Sequence, residues 1–374
     1  MKFDDLMPGM SEATRLTRTG RLVEATALIQ RLLGRQPDGR ALAPPTADAR
    51  VLEPPTLDLA AESVRVAEPA RPPPESGDGR MTAHRFANAA GSRDYRLFVP
   101  AGAPEGPRPL IVMLHGCTQT PEDFAAGTRM NLLAQQHGCI VVWPAQASGA
   151  NPSGCWNWFR PEDQGRDRGE PAILAGLTRE IMRSRDVDPA RVYVAGLSAG
   201  GAKAAILALA YPELFAAVGV HSGLACGAAR DLPGAFTAMR QGTAPGRHVP
   251  HGHHGSHGRP VPAIVFHGDR DGTVNPKNGE AVVTQFAGGA VAGAPRVERG
   301  RAPGGRSFTR ALHAGRDGRV LVEHWTVHGA GHAWAGGSAE GSYTDPRGPD
   351  ASREMLRFFL EHPTADRAPG GGQS

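Results

Sequence analysis

The sequence lacks the features that mark membrane proteins, nucleic-acid binders and zinc proteins. No apolar run in its 374 residues is long enough to span a bilayer. The formal net charge of +4 is spread along the chain without a dense Lys/Arg run, which argues against a nucleic-acid partner. The four cysteines form no Cys-x-x-Cys pair, so no zinc site is expected. We therefore predict a protein without a transmembrane segment, metal or cofactor.

The N-terminal part also lacks the composition of a folded core. Residues 1–35 carry leucines at three- and four-residue steps, which predicts an amphipathic helical segment. This segment either packs on the main domain or on a second copy, or docks to a protein partner or granule through residues 11–33. Residues 36–80 are rich in Pro and Ala, which predicts a disordered linker. A globular domain is expected over residues 81–362, followed by a flexible tail over residues 363–374.

The globular region alternates strand and helix patterns. Tyr95, Leu97 and Val99 alternate with polar or outward-facing residues, which predicts a strand with one buried face. Continuous apolar runs predict strands that are buried on both faces. Further strands and two helices complete a mostly parallel central sheet flanked by helices, with ligands expected at the carboxyl ends of the strands. The apolar runs are 109–114 and 139–144, the further strands 191–197, 216–221, 262–267 and 320–327, and the helices 121–137 and 170–185.

Residues 234–259 interrupt this alternation with five histidines set among Gly and Pro. A metal site is conceivable in such a segment. Because no rigid element fixes the ligand geometry, we prefer a solvated loop insertion.

Ser198 is the first candidate nucleophile. It stands between Gly196 and Gly200, at the point where a short β-branched strand turns into a helical run. Hydrolases expose a serine at such a turn, and a side chain at either glycine would collide with the backbone. The pattern alone is weak evidence, because 49 residues of the chain are glycine.

A serine hydroxyl needs a general base, and the base needs a group that holds its tautomer. Asp269 and Asp271 follow one predicted strand, and His328 and His332 follow a later one. The order Ser, Asp, His is that of an α/β-hydrolase. The residue types alone do not choose between the two aspartates or between the two histidines, each of which could instead cap a turn or simply pack.

Five motifs in order resemble the polyhydroxybutyrate (PHB) depolymerase family of esterases, which is itself similar to feruloyl and acetylxylan esterases. The resemblance covers roughly residues 95–362 and implies an α/β-hydrolase fold. It implies Ser198 as nucleophile, Asp271 as orienting acid, His332 as base, and a structural role for Asp269. The motifs are LHGCTQ at 114–119, CWNWF at 155–159, GLSAGG at 196–201, HGDRDGTV at 267–274 and GHAW at 331–334.

Acyl transfer also needs backbone donors for the oxyanion. The amide of Ala199, at the start of the helix after the nucleophile, is one candidate. The family resemblance points to the amide of Cys117 for the other. Since Cys117 and Cys155 both lie in loops beside the proposed site, a disulfide between them is a hypothesis, with simple packing as the alternative. Cys139 and Cys226 are expected to be reduced core residues.

Trp156, Trp158 and Trp334 lie beside the proposed site in sequence. They either pack in the core or line a substrate-binding groove for an acyl chain or an aromatic acid. The C-terminal stretch predicts an amphipathic helix that Asp350 caps, with a structural role.

These patterns predict a cofactor-independent serine esterase that cleaves poly- or oligo-hydroxyalkanoate esters through an acyl-enzyme. The alternatives are a feruloyl or acetylxylan esterase and a non-catalytic protein that binds a granule or partner. Because Met1–Pro8 lack the apolar core of a secretion signal, a cytoplasmic location is expected. The family has many secreted members, so an extracellular location is the alternative.

Overall fold

A long central sheet organises the part of the chain that the structure, a computed structural model, describes: residues 79–102, 106–243 and 260–364. The predicted N-terminal helical segment, nearly all of the predicted linker, the histidines of the histidine-rich segment and nearly all of the tail lie outside these residues.

Within the described residues, ten strands form this sheet. Its six central strands are mutually parallel, and two antiparallel strands extend it at each edge. Across the sheet the order is β1 (Arg80–Asn88), β2 (Gly91–Val99), β4 (Ile140–Pro144), β3 (Arg108–Leu114), β5 (Val187–Leu197), β6 (Ala217–His221), β7 (Ala263–Gly268), β10 (Val320–Val327), β9 (Ser307–Ala314) and β8 (Arg296–Arg301). A separate parallel pair joins β11 (Trp334–Ala335) and β12 (Thr344–Asp345).

Helices cover both faces of the sheet, which explains why the central strands read as continuous apolar runs. One face buries residues of α3 (Gly169–Ser184), α4 (Ala199–Ala210), α5 (Leu232–Gln241) and α6 (Lys277–Ala287). The other buries residues of α1 (Pro121–Thr128), α2 (Met130–His137) and α7 (Ala351–Glu361). The mostly parallel sheet with helices on both sides agrees with the predicted fold class.

Several local predictions are confirmed. The helix predicted over 170–185 is α3. The C-terminal helix α7 is capped by Asp350, as predicted: the Asp350 side chain accepts a hydrogen bond from Arg353 N at 3.0 Å. Met355 and Phe359 of this helix are fully buried. Cys139 and Cys226 are buried free thiols, as expected.

Other local predictions were wrong. The single helix expected over residues 121–137 is two helices, because Arg129 adopts a left-handed conformation (φ 54°) between them. Residues 234–241 belong to α5 and not to a loop, since Asp231 caps a helix there through Gly234 N. Strand β2 is buried on both faces: Tyr95 and Leu97 lie in one core layer and Phe98 in the other.

No helix among the described residues is long and apolar enough to cross a membrane.

Candidate active site

Ser198 lies at the sharp turn between β5 and α4. Its backbone has φ 58° and ψ −120°, a conformation that costs a non-glycine residue free energy and often marks a functional site. Its amide donates to His221 O at 2.9 Å. A Cβ on Gly200 would lie 2.0 Å from Leu114 O, and one on Gly196 would lie 2.4 Å from the carbonyl carbon of Gly200. The turn therefore requires glycine on both sides of the serine.

Asp271 and His332 form a buried hydrogen-bonded pair. His332 Nδ1 lies 2.7 Å from Asp271 Oδ2, and the two side chains are 11% and 0% exposed. The other carboxylate oxygen, Oδ1, accepts from the amides of Thr273 (2.9 Å) and Val274 (2.8 Å). Because the ionised carboxylate can only accept, Nδ1 of His332 is the protonated nitrogen and Nε2 is free to accept a proton.

Within the described residues, Nε2 of His332 makes no hydrogen bond, so Ser198 does not donate to it in this geometry. Such contacts between nucleophile and base are often long until substrate binds. The carboxylate of Asp271 therefore orients the ring of His332, and Nε2 of that ring has no partner among the described residues.

Asp271 is held in its ionised form. Burial alone would raise the pKa of its carboxyl, but hydrogen bonds from His267 and His332 hold that pKa well below its ordinary value. His267 Nε2 lies 3.4 Å from Asp271 Oδ2 and 2.9 Å from Val274 O. His267 thus helps to keep Asp271 ionised. The sequence analysis did not identify this role, although His267 is the first residue of the HGDRDGTV motif.

A second aspartate–histidine pair lies on the same two loops. His328 Nδ1 lies 2.8 Å from Asp269 Oδ2, and Gly329 N donates to Asp269 Oδ1 at 2.6 Å. The two side chains are 40% and 38% exposed. Nε2 of His328 lies 2.8 Å from Thr309 Oγ1, so both ring nitrogens are engaged. This pair closes the loops against β9 and leaves no nitrogen free to act as a base.

His221 connects the serine turn to the segment that follows His332, the proposed base. Its carbonyl accepts from Ser198 N, and its Nε2 accepts from Ala335 N at 2.9 Å. Its ring stacks on Trp334 at 5.1 Å between centroids, and Nδ1 lies 3.2 Å from Ser222 Oγ. Burial lowers the pKa of His221 to about 3, so this ring is neutral and serves as a fixed acceptor. The sequence analysis did not single it out.

The two amides proposed for the oxyanion have no other task in the described part of the chain. Neither Cys117 N nor Ala199 N donates a hydrogen bond there, whereas Gly116 N donates to Gln119 Oε1 at 2.9 Å. A disulfide joins Cys117 to Cys155, as hypothesised. It ties the loop after β3 to the aromatic loop over residues 155–159.

The three tryptophans proposed to contact substrate are buried. Trp156 is 0% exposed, Trp158 5% and Trp334 1%. Trp156 Nε1 donates to His115 O at 3.1 Å, and Trp334 Nε1 donates to Ser352 Oγ at 3.0 Å. Their burial and their hydrogen bonds support packing in the core, which was the alternative to a substrate-binding groove.

A buried ion pair between Lys203 and Glu170 anchors helix α4, which begins directly after Ser198. Lys203 Nζ lies 2.9 Å from Glu170 Oε2 and donates to Asp163 O at 2.7 Å, with the Lys203 side chain 0% exposed and that of Glu170 4%. Glu170 also accepts from Asn157 N at 2.9 Å and from Gln146 Nε2 at 2.5 Å. Burial would raise the pKa of the Glu170 carboxyl, but Lys203, the hydrogen bond from Gln146 and the nearby charge of Arg93 hold that pKa below its ordinary value. The pair links helix α4 to the aromatic loop.

No group of three or more His, Cys, Asp or Glu side chains among the described residues is placed to hold a metal ion.

A mostly parallel sheet whose fifth strand delivers a serine into a strained turn, followed in the chain by an aspartate and a histidine, defines the α/β-hydrolase class. The fold is also that of an acetyl xylan esterase from Aspergillus awamori, which superposes with a TM-score of 0.61 at 20% identity over 76% of this chain and 99% of that one. Residues 93–299 match the family model described as esterase PHB depolymerase, and the chain belongs to that family.

Two curated relatives show the range of the similarity. Poly(3-hydroxyalkanoate) depolymerase C from Paucimonas lemoignei is 34% identical over 66% of this chain and 60% of its own length. Feruloyl esterase B from Neurospora crassa is 28% identical over 67% of this chain and 82% of its own length. The match thus spans less than two thirds of the depolymerase's own length.

Proposed function

We propose that the protein is a serine esterase that hydrolyses carboxylic esters through an acyl-enzyme. The observation that carries this proposal is the buried Asp271–His332 hydrogen bond of 2.7 Å, which orients a histidine with a free Nε2. Membership of the esterase family supports it. Ser198, on its strained turn, supplies the nucleophile.

The chemistry assigned to each residue follows from its position. Ser198 Oγ attacks the ester carbonyl carbon while His332 Nε2 takes the hydroxyl proton, and Asp271 stabilises the imidazolium. The amides of Cys117 and Ala199 stabilise the oxyanion. Collapse of the tetrahedral intermediate breaks the bond to the alcohol, which leaves with the proton from His332. Water then attacks the acyl-enzyme by the same route and releases the acid.

The proposed substrates are poly- or oligo-hydroxyalkanoate esters, in keeping with the name of the depolymerase from Paucimonas lemoignei. Feruloyl or acetylxylan esters are the alternative, which the similarity to feruloyl esterase B favours. Turnover of hydroxybutyrate oligomers measured beside methyl ferulate separates the two. A non-catalytic granule-binding protein would turn over neither.

The Cys117–Cys155 disulfide is relevant to where the protein is located in or outside the cell. Disulfides persist in oxidising surroundings and are rare in the cytosol. It weighs against the cytoplasmic location and favours the extracellular alternative. Cell fractionation, with blotting for the intact N-terminus, tests this choice. Docking through residues 11–33 remains a proposal on residues outside those described.

Replacing Ser198 with alanine tests the proposed function. We expect hydrolysis of p-nitrophenyl butyrate to fall by a factor of about 10⁴ or more, because the nucleophile is lost while the oxyanion donors remain. Circular dichroism of the variant is the control for folding. A folded variant that kept wild-type turnover would show that the assignment is wrong.

A further inference from the structure

Tyr343 is an exposed aromatic residue at the mouth of the proposed site. The residue is 46% exposed, which makes it one of five exposed large hydrophobic residues in the described part of the chain. It immediately precedes β12 and has φ 52°, a conformation that is uncommon for a bulky residue. Fixing a large exposed side chain on such a backbone costs free energy, which packing of the ring itself does not recover.

The backbone around Tyr343 is held firmly in place. Its carbonyl accepts from Trp334 N at 2.7 Å. The preceding residue, Ser342, donates from its amide to Asp123 Oδ1 (2.9 Å) and from its hydroxyl to Asp123 Oδ2 (2.6 Å). Gln119 Nε2 donates to Ser342 O at 3.2 Å, and the same glutamine anchors the loop of Cys117. The position of the tyrosine is therefore fixed relative to the oxyanion loop, by which we mean residues 115–119 with the proposed donor Cys117.

The ring lies between the oxyanion loop and the base. Its centroid is 6.5 Å from that of His332, with an angle of 79° between the planes. Its hydroxyl lies 3.2 Å from Thr118 Oγ1, and Thr118 donates in turn to Cys117 O at 2.5 Å, so Tyr343 is the donor to Thr118. Thr118 also has a positive φ of 67°. Two strained residues thus meet beside the proposed reaction centre.

We propose that Tyr343 is a specificity-determining residue that binds the apolar alcohol part of the ester. This rests on the proposed function. The base returns its proton to the leaving alcohol oxygen, so an aromatic surface next to His332 lies on the leaving-group side of the scissile bond. Contact between an exposed aromatic ring and the hydrocarbon part of a substrate buries apolar surface of both, which favours binding. The exposed ring of Tyr343 would thus provide the aromatic contact with substrate that we predicted for the three tryptophans, which are buried.

The test compares two ester series in the wild type and two variants. The first series fixes butyrate as the acyl group and lengthens the alcohol from methyl to hexyl; the second fixes p-nitrophenol and lengthens the acyl chain. Tyr343→Asn removes the ring but suits a left-handed backbone, because asparagine is enriched there. Tyr343→Phe keeps the ring and removes only the contact with Thr118. Leu132→Ala, which truncates another exposed apolar side chain on helix α2, is the control.

We expect Tyr343→Asn to raise KM for hexyl butyrate about tenfold and KM for methyl butyrate less than twofold, because each added methylene loses contact with the ring. Tyr343→Phe and Leu132→Ala should keep the wild-type chain-length profile. Equal profiles for Tyr343→Asn and wild type would overturn the proposal, as would a loss confined to the acyl series. A wild-type protein that cleaves no ester would instead overturn the proposed function.

Discussion

The two aspartate–histidine pairs use the same loops and nearly the same geometry, with Nδ1 to Oδ2 distances of 2.7 Å for Asp271–His332 and 2.8 Å for Asp269–His328. They differ in what surrounds them. The first pair is buried and leaves one ring nitrogen open, while the second is more than one third exposed and has both ring nitrogens engaged. An aspartate–histidine contact is therefore insufficient to identify a general base; burial and a free Nε2 distinguish the two.

The largest expected difference between the pairs is in turnover. Asp271→Asn should lower kcat for p-nitrophenyl butyrate by about 10⁴, because the amide cannot hold His332 in the required tautomer. Asp269→Asn should change kcat by less than about threefold, since surface ion pairs contribute little. Steady-state kinetics on both purified variants checks this. Equal losses in the two variants would contradict the distinction between the pairs.

The next difference is in stability. Asp271→Ala leaves the amides of Thr273 and Val274 without their acceptor, and should lower the free energy of unfolding by about 3 kcal/mol. Asp269→Ala should cost no more than about 1 kcal/mol, because solvent replaces an exposed partner. Urea unfolding followed by tryptophan fluorescence measures both. A larger loss for Asp269→Ala would reverse the ranking.

The smallest difference is in the response to acid. The pKa of each carboxyl is lower in the folded chain than its ordinary value, so each stabilises the fold above the unfolded pKa of about 3.9 and loses that contribution as pH falls through the folded value. The pKa of Asp271 is depressed further. Asp271→Asn should therefore flatten the decline of stability below about pH 4 more than Asp269→Asn does. Urea midpoints from pH 6 to pH 3 test this, and parallel curves for the two variants would count against it.

The sequence predicted the parts of the fold that depend on burial. Strands such as β3 and β7 are covered on both faces, so their apolar runs could be recognised directly. The edge strands β8 and β9 are mostly exposed or half-buried and carry polar residues, and no such run marks them. The break at Arg129 depends on one left-handed residue that is not itself a glycine, and the helix continues past Gly127 before it.

Less of the candidate active site than of the central sheet could be predicted from the sequence. Residue types placed two aspartates and two histidines on the correct loops but could not pair them, and only the family resemblance selected Asp271 and His332. Tyr343 and His221 had no signal, because their roles depend on contacts between segments more than 100 residues apart. The burial of the three tryptophans likewise follows from tertiary packing and not from local spacing.

The Glu170–Lys203 pair has a consequence for how this sequence can change over generations. Replacing Glu170 leaves the buried charge of Lys203 without its ionic partner, which typically costs about 3–5 kcal/mol. The same change also removes the carboxylate that lies 3.4 Å from the buried Arg93. Substitutions at these three positions should therefore show strong epistasis. Libraries that vary Glu170 alone should lose most folded members, while libraries that vary Glu170, Lys203 and Arg93 together can retain more of them.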